Sequence, residues 1–139
     1  PERIPRGYRD ILSRAVPMKP YTLRTLDSTS PEPVSHDPDL AKRVLLRAED
    51  FASSLKMLNH VRLEPGRGFR AHSHPTMEEI FYVLRGEIEF TINGTAVRVG
   101  PRQVIRIAPN TSHSGKNRTG QFCEFLNFGA ALDEAGENT

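Results

Sequence analysis

The sequence has almost no cysteine, no long apolar run and little net charge. Cys123 is the only cysteine, so neither an intrachain disulfide framework nor a thiolate-rich zinc site is available. Apolar stretches are only a few residues long, far short of the ~20 residues that span a bilayer, and no secretory signal is visible. With 19 Lys+Arg against 17 Asp+Glu, no basic patch marks a nucleic-acid partner. We therefore expect a cytoplasmic protein of one domain that binds neither nucleic acid nor membrane.

Prolines are abundant at the N-terminal end of the chain. Seven of the eleven lie within the first 38 residues, where each removes a backbone donor and disfavours helix in the preceding residue. We interpret residues 1–40 as a proline-rich N-terminal arm, with a short helix around Tyr8–Ala15 and an exposed loop at Ser30–Pro33. The arm is either a mobile tail or a segment that packs on the domain or on a second subunit. The acidic residues 131–139 are expected to form a flexible tail.

Between these ends, residues 41–130 carry the pattern of a single β-domain. Short alternating or apolar segments are separated by turn signals, as in β-sandwiches and barrels. Asn93-Gly94 is the signature of a type I′ hairpin turn. The predicted strands are Val44–Leu46, Leu55–Leu63, Phe69–His74, Glu79–Leu84, Glu87–Ile92, Thr95–Val99, Val104–Ile107 and Gln121–Phe128. The pattern predicts an all-β fold, an antiparallel jelly-roll β-barrel preceded by the arm.

Three histidines and two glutamates form the most informative polar pattern. His72 and His74 are two residues apart in a predicted strand, so their imidazoles project from one face about 7 Å apart. Glu78 and Glu79 follow after a short turn, and His113 lies at the end of another strand, from which a barrel would bring it close. The alternative is that both paired histidines are solvated residues of an edge strand.

The spacing of these residues resembles the first conserved stretch of the cupin superfamily. Gly66 is followed by five residues, then His72, one residue, His74, a short gap to Glu79, six residues and Gly86. Each fixed position of that stretch is met.

The second cupin stretch is met in part. His113 and Asn117 have the separation found in the family, but Arg102 and Asn110 occupy its two glycine positions and Ala108 its proline position. Asn accepts the left-handed conformation that such a turn requires more readily than most residues, whereas Arg does not.

This resemblance implies a small single-domain cupin with one divalent metal ion. It implies that His72, His74, Glu79 and His113 are the metal ligands, with Glu79 preferred to its neighbour because it stands six residues before Gly86. Three imidazoles and one carboxylate suit Fe, Mn, Ni, Cu or Zn and leave open positions for a small-molecule substrate. Because cupins commonly dimerise through sheet edges, a homodimer is expected.

A substrate pocket is expected beside the metal. Arg70 shares strand parity with His72, so its side chain points either into this pocket or, at the start of the strand, to solvent. The expected apolar walls are Phe81, Phe90, Ile105 and Ile107. Cys123 is expected to be buried rather than to bind the metal. No catalytic residue is assigned beyond the metal centre.

The pattern leaves three functions open. The leading hypothesis is an Fe(II)-type dioxygenase acting on an enol or dicarbonyl compound. The second is a non-redox isomerase, lyase or cyclase of secondary metabolism that uses the metal as a Lewis acid. The third is a non-catalytic small-molecule-binding protein.

Overall fold

A computed structural model describes residues 18–34 and 37–132 of the chain. Within them, regular structure is almost entirely antiparallel β-strand, which confirms the all-β prediction; the two helices described are single 3₁₀ turns at Leu26–Ser28 and Ala48–Asp50. The strands are β1 Pro31–Val34, β2 Asp37–Arg47, β3 Leu55–Leu63, β4 Gly68–His72, β5 Met77–Arg85, β6 Ile88–Ile92, β7 Thr95–Val99, β8 Val104–Ile107, β9 His113–Lys116 and β10 Cys123–Ala131. No helix in the described ranges is long and apolar enough to cross a membrane.

The strands form two sheets instead of the expected closed barrel. One sheet has the order β1-β2-β3-β10-β5-β8 and the other the order β4-β9-β6-β7. Among the described strands, no ladder of hydrogen bonds joins the two sheets, so the prediction of a closed barrel is wrong. The sheets are instead joined by the side chains that both bury between them, as in a sandwich.

The core lies between the two sheets. Phe81 of β5 meets Phe90 of β6 with ring centroids 5.0 Å apart, and Val83 and Ile88 are fully buried beside them. Along β5 every second side chain is buried, including Glu79, Phe81 and Val83. This alternation carries Glu79 into the interior with the core residues.

The N-terminal strands correct the interpretation of residues 31–40. Pro31 and Pro33, expected in a loop, belong to β1, which pairs with β2 at the edge of the larger sheet. The N–H groups of residues two positions apart point to the same side of a strand. Both missing N–H groups can therefore lie on the free edge of β1, while the other side of the strand forms hydrogen bonds with β2. The helix expected around Tyr8–Ala15 lies outside the described residues, and the arm stays a prediction. At the other end, β10 extends to Ala131, the first residue of the expected tail, and residues 133–139 lie outside the described residues.

Three of the turns with left-handed backbone conformations contain a non-glycine residue in that conformation. Asn93 and Gly94 have φ of 46° and 83°, as the predicted type I′ turn requires. Arg102 and Asn110, which occupy the two glycine positions of the second cupin stretch, have φ of 65° and 58°. The loop geometry is thus kept although neither residue is glycine.

Candidate metal centre

Four side chains from separate parts of the chain meet between the sheets. His72 ends β4 and pairs in register with His113, the first residue of β9. His74 lies in the connection that follows β4, and Glu79 comes from β5 of the facing sheet. Each residue offers one ligand atom, and these atoms all lie within 4.8 Å of one another. The structure therefore brings together the four residues that the cupin resemblance implied as ligands.

Backbone contacts orient two of the imidazoles. His72 Nδ1 lies 2.8 Å from the carbonyl oxygen of Arg70, and His113 Nδ1 lies 2.9 Å from that of Thr111. A carbonyl can only accept a hydrogen bond, so both Nδ1 atoms carry the proton. The neutral rings then present the lone pair of Nε2, which is the form that binds metals.

The Nε2 atoms converge on one carboxylate oxygen. Glu79 Oε1 lies 2.5 Å from Nε2 of His74, 3.4 Å from that of His113 and 3.8 Å from that of His72. The lone pairs that His72 and His113 direct toward this oxygen are electrostatically favourable there only when a cation sits among them.

Glu79 is held in its charged form. Its side chain is buried, which acts to raise the pKa, but the surrounding imidazoles of His113, His72 and His74 outweigh burial and hold the pKa of Glu79 well below its usual range. Nevertheless, Glu79 Oε1 and His113 Nε2 are buried without a hydrogen-bond partner of good geometry. Buried polar atoms are rarely left in this condition. A divalent cation satisfies both atoms, so the donor set fits a metal ion.

Two asparagines that the sequence analysis missed support this carboxylate. Asn127 of β10 donates from Nδ2 to Glu79 Oε2 at 2.8 Å, and Asn59 of β3 donates to Asn127 Oδ1 at 3.4 Å. Both residues are buried. Asn59 has the same strand parity as Met57 and Val61, and a polar residue at such an apolar position is the signal that could have revealed it.

A cavity of about 200 Å³ opens onto the cluster. His72, His74 and Glu79 line one part of it, and Lys42, Asn59 and Asn127 contribute further polar groups. The remaining lining residues are apolar: Val34, Leu40, Met57, Val61, Phe69, Met77, Phe81 and Phe125. The cavity can therefore hold a small molecule with an apolar body beside the four converging side chains.

The structure places Arg70 outside this cavity. Its side chain is 79% exposed and pairs with Asp37 at 3.3 Å. Phe69 pairs with Gly115 and His72 with His113, so β4 carries one residue more than β9 over this interval. This bulge breaks the strand parity that linked Arg70 to His72, and Phe69 takes the inward position instead.

The expected apolar walls divide into two groups. Phe81 lines the cavity and also belongs to the core. Phe90 and Ile107 are buried in the core cluster and Ile105 packs against it, without lining the cavity. Cys123 is buried in the same cluster, away from the four ligand residues, as expected.

A fourth histidine lies outside the cluster. His60 projects from the opposite parity of β3 to Asn59, and its Nε2 lies 3.3 Å from Glu124 Oε2. It is a natural control in experiments on the cluster.

Two curated proteins have sequences similar to this chain. Tetracenomycin polyketide synthase protein TcmJ of Streptomyces glaucescens is 26% identical over 84 residues, covering 60% of this chain and 56% of that protein. An oxalate-binding protein of Thermotoga maritima is 32% identical over 82 residues, covering 59% of this chain and 68% of that protein.

Solved structures show the same fold. A predicted oxalate decarboxylase of T. maritima superimposes with a TM-score of 0.73 at 26% identity, covering 80% of this chain and all of that one. The polyketide cyclase RemF of Streptomyces resistomycificus superimposes with a TM-score of 0.68 at 25% identity, covering 81% of this chain and 80% of that one. The family model described as a cupin domain matches residues 59–129, just over half of the sequence. The chain therefore belongs to the cupin family.

Proposed function

We propose that this cupin is a metal-dependent enzyme that catalyses a non-redox cyclisation of a small, carbonyl-rich molecule. The observation that carries the proposal is the convergence of three imidazoles and one carboxylate at the wall of an apolar cavity. A divalent ion bound there by His72, His74, Glu79 and His113 would act as a Lewis acid that polarises a ligand carbonyl.

The chain itself supplies orientation and a dry environment. The carbonyl groups of Arg70 and Thr111 hold two imidazoles in the tautomer that presents Nε2. Asn127 holds Oε2 of Glu79, which directs Oε1 toward the histidines. Phe69, Phe81 and Phe125 exclude water and favour a folded, apolar substrate over an extended, hydrated one.

In the proposed reaction, a carbon between two carbonyl groups attacks a third carbonyl carbon of the same molecule. A C–C bond forms, the attacking carbon loses a proton, the carbonyl oxygen gains one, and water can then leave. No oxidant or reductant is consumed. A metal ion held by the four converging side chains would polarise the carbonyls and so favour both the loss of the proton and the attack.

Relatives support cyclisation more than oxygenation. One similar protein is named a polyketide synthase protein and one similar structure a polyketide cyclase, whereas neither name points to a dioxygenase. Cyclisation was the second hypothesis from the sequence, and it replaces the dioxygenase as the leading one. We further propose that the enzyme is a cytoplasmic homodimer, with neither nucleic acid nor membrane as partner.

A non-catalytic binding protein is the second candidate. The relative with 32% identity is named an oxalate-binding protein, and a metal with one negative ligand residue keeps a net positive charge that attracts carboxylates. This candidate predicts tight binding of a small acid without turnover.

Metal content is the first test. Elemental analysis of the purified protein should find one divalent metal ion per chain, and the metal should be lost in His74→Ala but kept in His60→Ala. If both variants keep the metal, the proposed centre is wrong.

Turnover is the second test. The metal-loaded protein is incubated with linear tri- and tetraketone compounds with and without oxygen, and the products are analysed by mass spectrometry. The proposal expects products that are isomers of the substrate or have lost water, formed equally without oxygen. Products that gain oxygen atoms, with oxygen uptake, would establish a dioxygenase, and binding without any product would establish the binding protein.

A further inference from the structure

The cavity beside the metal centre has a second polar region, formed by Lys42 of β2 and Asn59 of β3. Arg43 pairs with His60 and Val44 with Asn59, so Lys42 and Asn59 share the inner face of adjacent strands as diagonal neighbours. Diagonal neighbours have Cα atoms about 7–8 Å apart. Both side chains line the cavity. One small ligand can therefore contact both.

The hydrogen-bond chain from Glu79 determines what Asn59 presents to the cavity. A charged carboxylate only accepts hydrogen bonds, so the group of Asn127 that contacts Glu79 must be its Nδ2. Asn127 Oδ1 is then the acceptor for Asn59 Nδ2. Asn59 Oδ1 is left as an acceptor. The residue is only 3% exposed, yet this buried oxygen has no hydrogen-bond partner. Asn59 lines the cavity, so its unpartnered acceptor calls for an O–H or N–H group from a ligand that binds beside it.

Lys42 offers a positive charge in the same region. The side chain is half-buried, and none of the carboxylates whose side chains the structure describes forms an ion pair with it. Glu32 stands opposite Lys42 in the β1–β2 ladder, but its carboxylate pairs with Arg47. An ammonium group beside apolar walls is stabilised by an anion that shares its environment.

We infer that Lys42 and Asn59 form an anchoring subsite for a small carboxylic acid that carries a hydroxyl or enol group. The carboxylate pairs with the Lys42 ammonium group, and the O–H group donates to Asn59 Oδ1. This inference rests on the proposed function only in placing the substrate in this cavity, and it names the substrate class. The subsite is built from β2 and β3, so it does not need the metal to be present.

The test uses 3-hydroxybenzoate as the probe, titrated by ligand-observed NMR against the full chain and against Lys42→Met. A charge-assisted contact predicts that Lys42→Met weakens binding by about 10- to 100-fold, while binding of the neutral 3-hydroxybenzamide changes little. Lys56→Met is the matched control because Lys56, next to the cavity residue Met57, projects from the other face of β3. Unchanged binding in Lys42→Met, or an equal loss in Lys56→Met, would overturn the inference.

Asn59 is tested by comparing two ligands that differ by one hydroxyl group. The full chain should bind 3-hydroxybenzoate about 2- to 10-fold more tightly than benzoate, and Asn59→Leu should bind both equally. Circular dichroism checks that this variant is folded. A preference for the hydroxylated ligand that persists in folded Asn59→Leu contradicts the role of this residue.

The same titrations are repeated after treatment with a chelator, which separates the inference from the proposed metal centre. Binding that depends on Lys42 with and without metal supports the subsite even if the metal proposal fails. Binding that requires metal and ignores Lys42 places the carboxylate at the metal and overturns the subsite while the metal proposal stands.

Discussion

The side-chain amide of Asn127 donates to Glu79 Oε2 at 2.8 Å, and this contact turns Glu79 Oε1 toward the three imidazoles. A carboxylate that is fixed by one oxygen keeps the other in place for a metal ion, so it loses little conformational entropy when the metal binds. Asn127 thus acts through Glu79 as a positioning residue.

Replacing Asn127 should weaken metal binding without removing a ligand. In Asn127→Leu, Glu79 loses its hydrogen-bond donor, and affinity for Zn(II) should fall by about 10- to 100-fold, as is typical for residues that orient metal ligands. Competition with a chromogenic chelator measures the change. Thermal unfolding without metal shows whether the variant is folded, and unchanged affinity in a folded variant would remove this role from Asn127.

Arg102→Gly should stabilise the protein. Arg102 has φ of 65°, a conformation that costs a non-glycine residue roughly 1–2 kcal/mol. Glycine avoids this strain, but it loses more conformational entropy on folding, which costs about 0.5–1 kcal/mol. The free energy of unfolding in urea should rise by about 0.5–1 kcal/mol.

The matched control for that substitution is Arg67→Gly. Arg67 is also exposed and in a turn, but it is not among the described residues with positive φ. This variant should lose about 0.5–1 kcal/mol, because it gains the entropy cost of glycine without relief of strain. If both variants shift stability in the same direction, the backbone explanation is wrong.

Gly86 and Gly94 form a matched pair for a test of packing. Both have positive φ, 76° and 83°, but a Cβ atom at Gly86 would lie 2.3 Å from the carbonyl oxygen of Phe122, whereas nothing lies within 4 Å of one at Gly94. Gly94→Ala should cost about 0.5–1 kcal/mol, which is the strain of about 1–2 kcal/mol less the chain entropy that alanine removes from the unfolded state. Gly86→Ala should cost about 3 kcal/mol or more, because the backbone must also shift. Equal losses in chemical denaturation would contradict the close contact.

Cys123 should resist alkylation in the folded protein. Burial, with smaller effects from Glu124 and Glu87, raises the pKa of its thiol to about 11. A raised pKa means that the reactive thiolate is scarce at neutral pH and becomes abundant only as the pH approaches that value. Iodoacetamide labelling, followed by mass spectrometry, should be slow at pH 8 in buffer and fast in denaturant. Rapid labelling of the native protein would show that the thiol is accessible.

Strand parity predicted the site residues well on regular strands and failed at irregular ones. Glu79 and Phe81 lie on a regular stretch of β5, so alternation placed both correctly in the interior. Arg70 lies beside a bulge in β4, where one extra residue reverses the parity that sequence spacing assumes. A bulge is set by the partner strand and leaves little trace in local sequence.

Residues outside the predicted elements were missed for a different reason. Lys42 precedes Val44–Leu46, the first strand expected from the sequence, whereas β2 begins at Asp37 and includes Lys42. β1 contains Pro31 and Pro33, which are tolerated because β1 lies at the edge of its sheet. Edge position is a property of the assembled sheet.

The sequence by itself determined the all-β class, most strand positions and the hairpin at Asn93-Gly94, because alternation and turn chemistry are local properties. Motif spacing also pointed to the four residues that the structure brings together between the sheets. Only the tertiary structure decided that two sheets form without closing, that Asn127 and Asn59 support Glu79, and that Lys42 enters the cavity while Arg70 does not. These features depend on which strands become neighbours, and that depends on burying side chains from distant parts of the chain against one another.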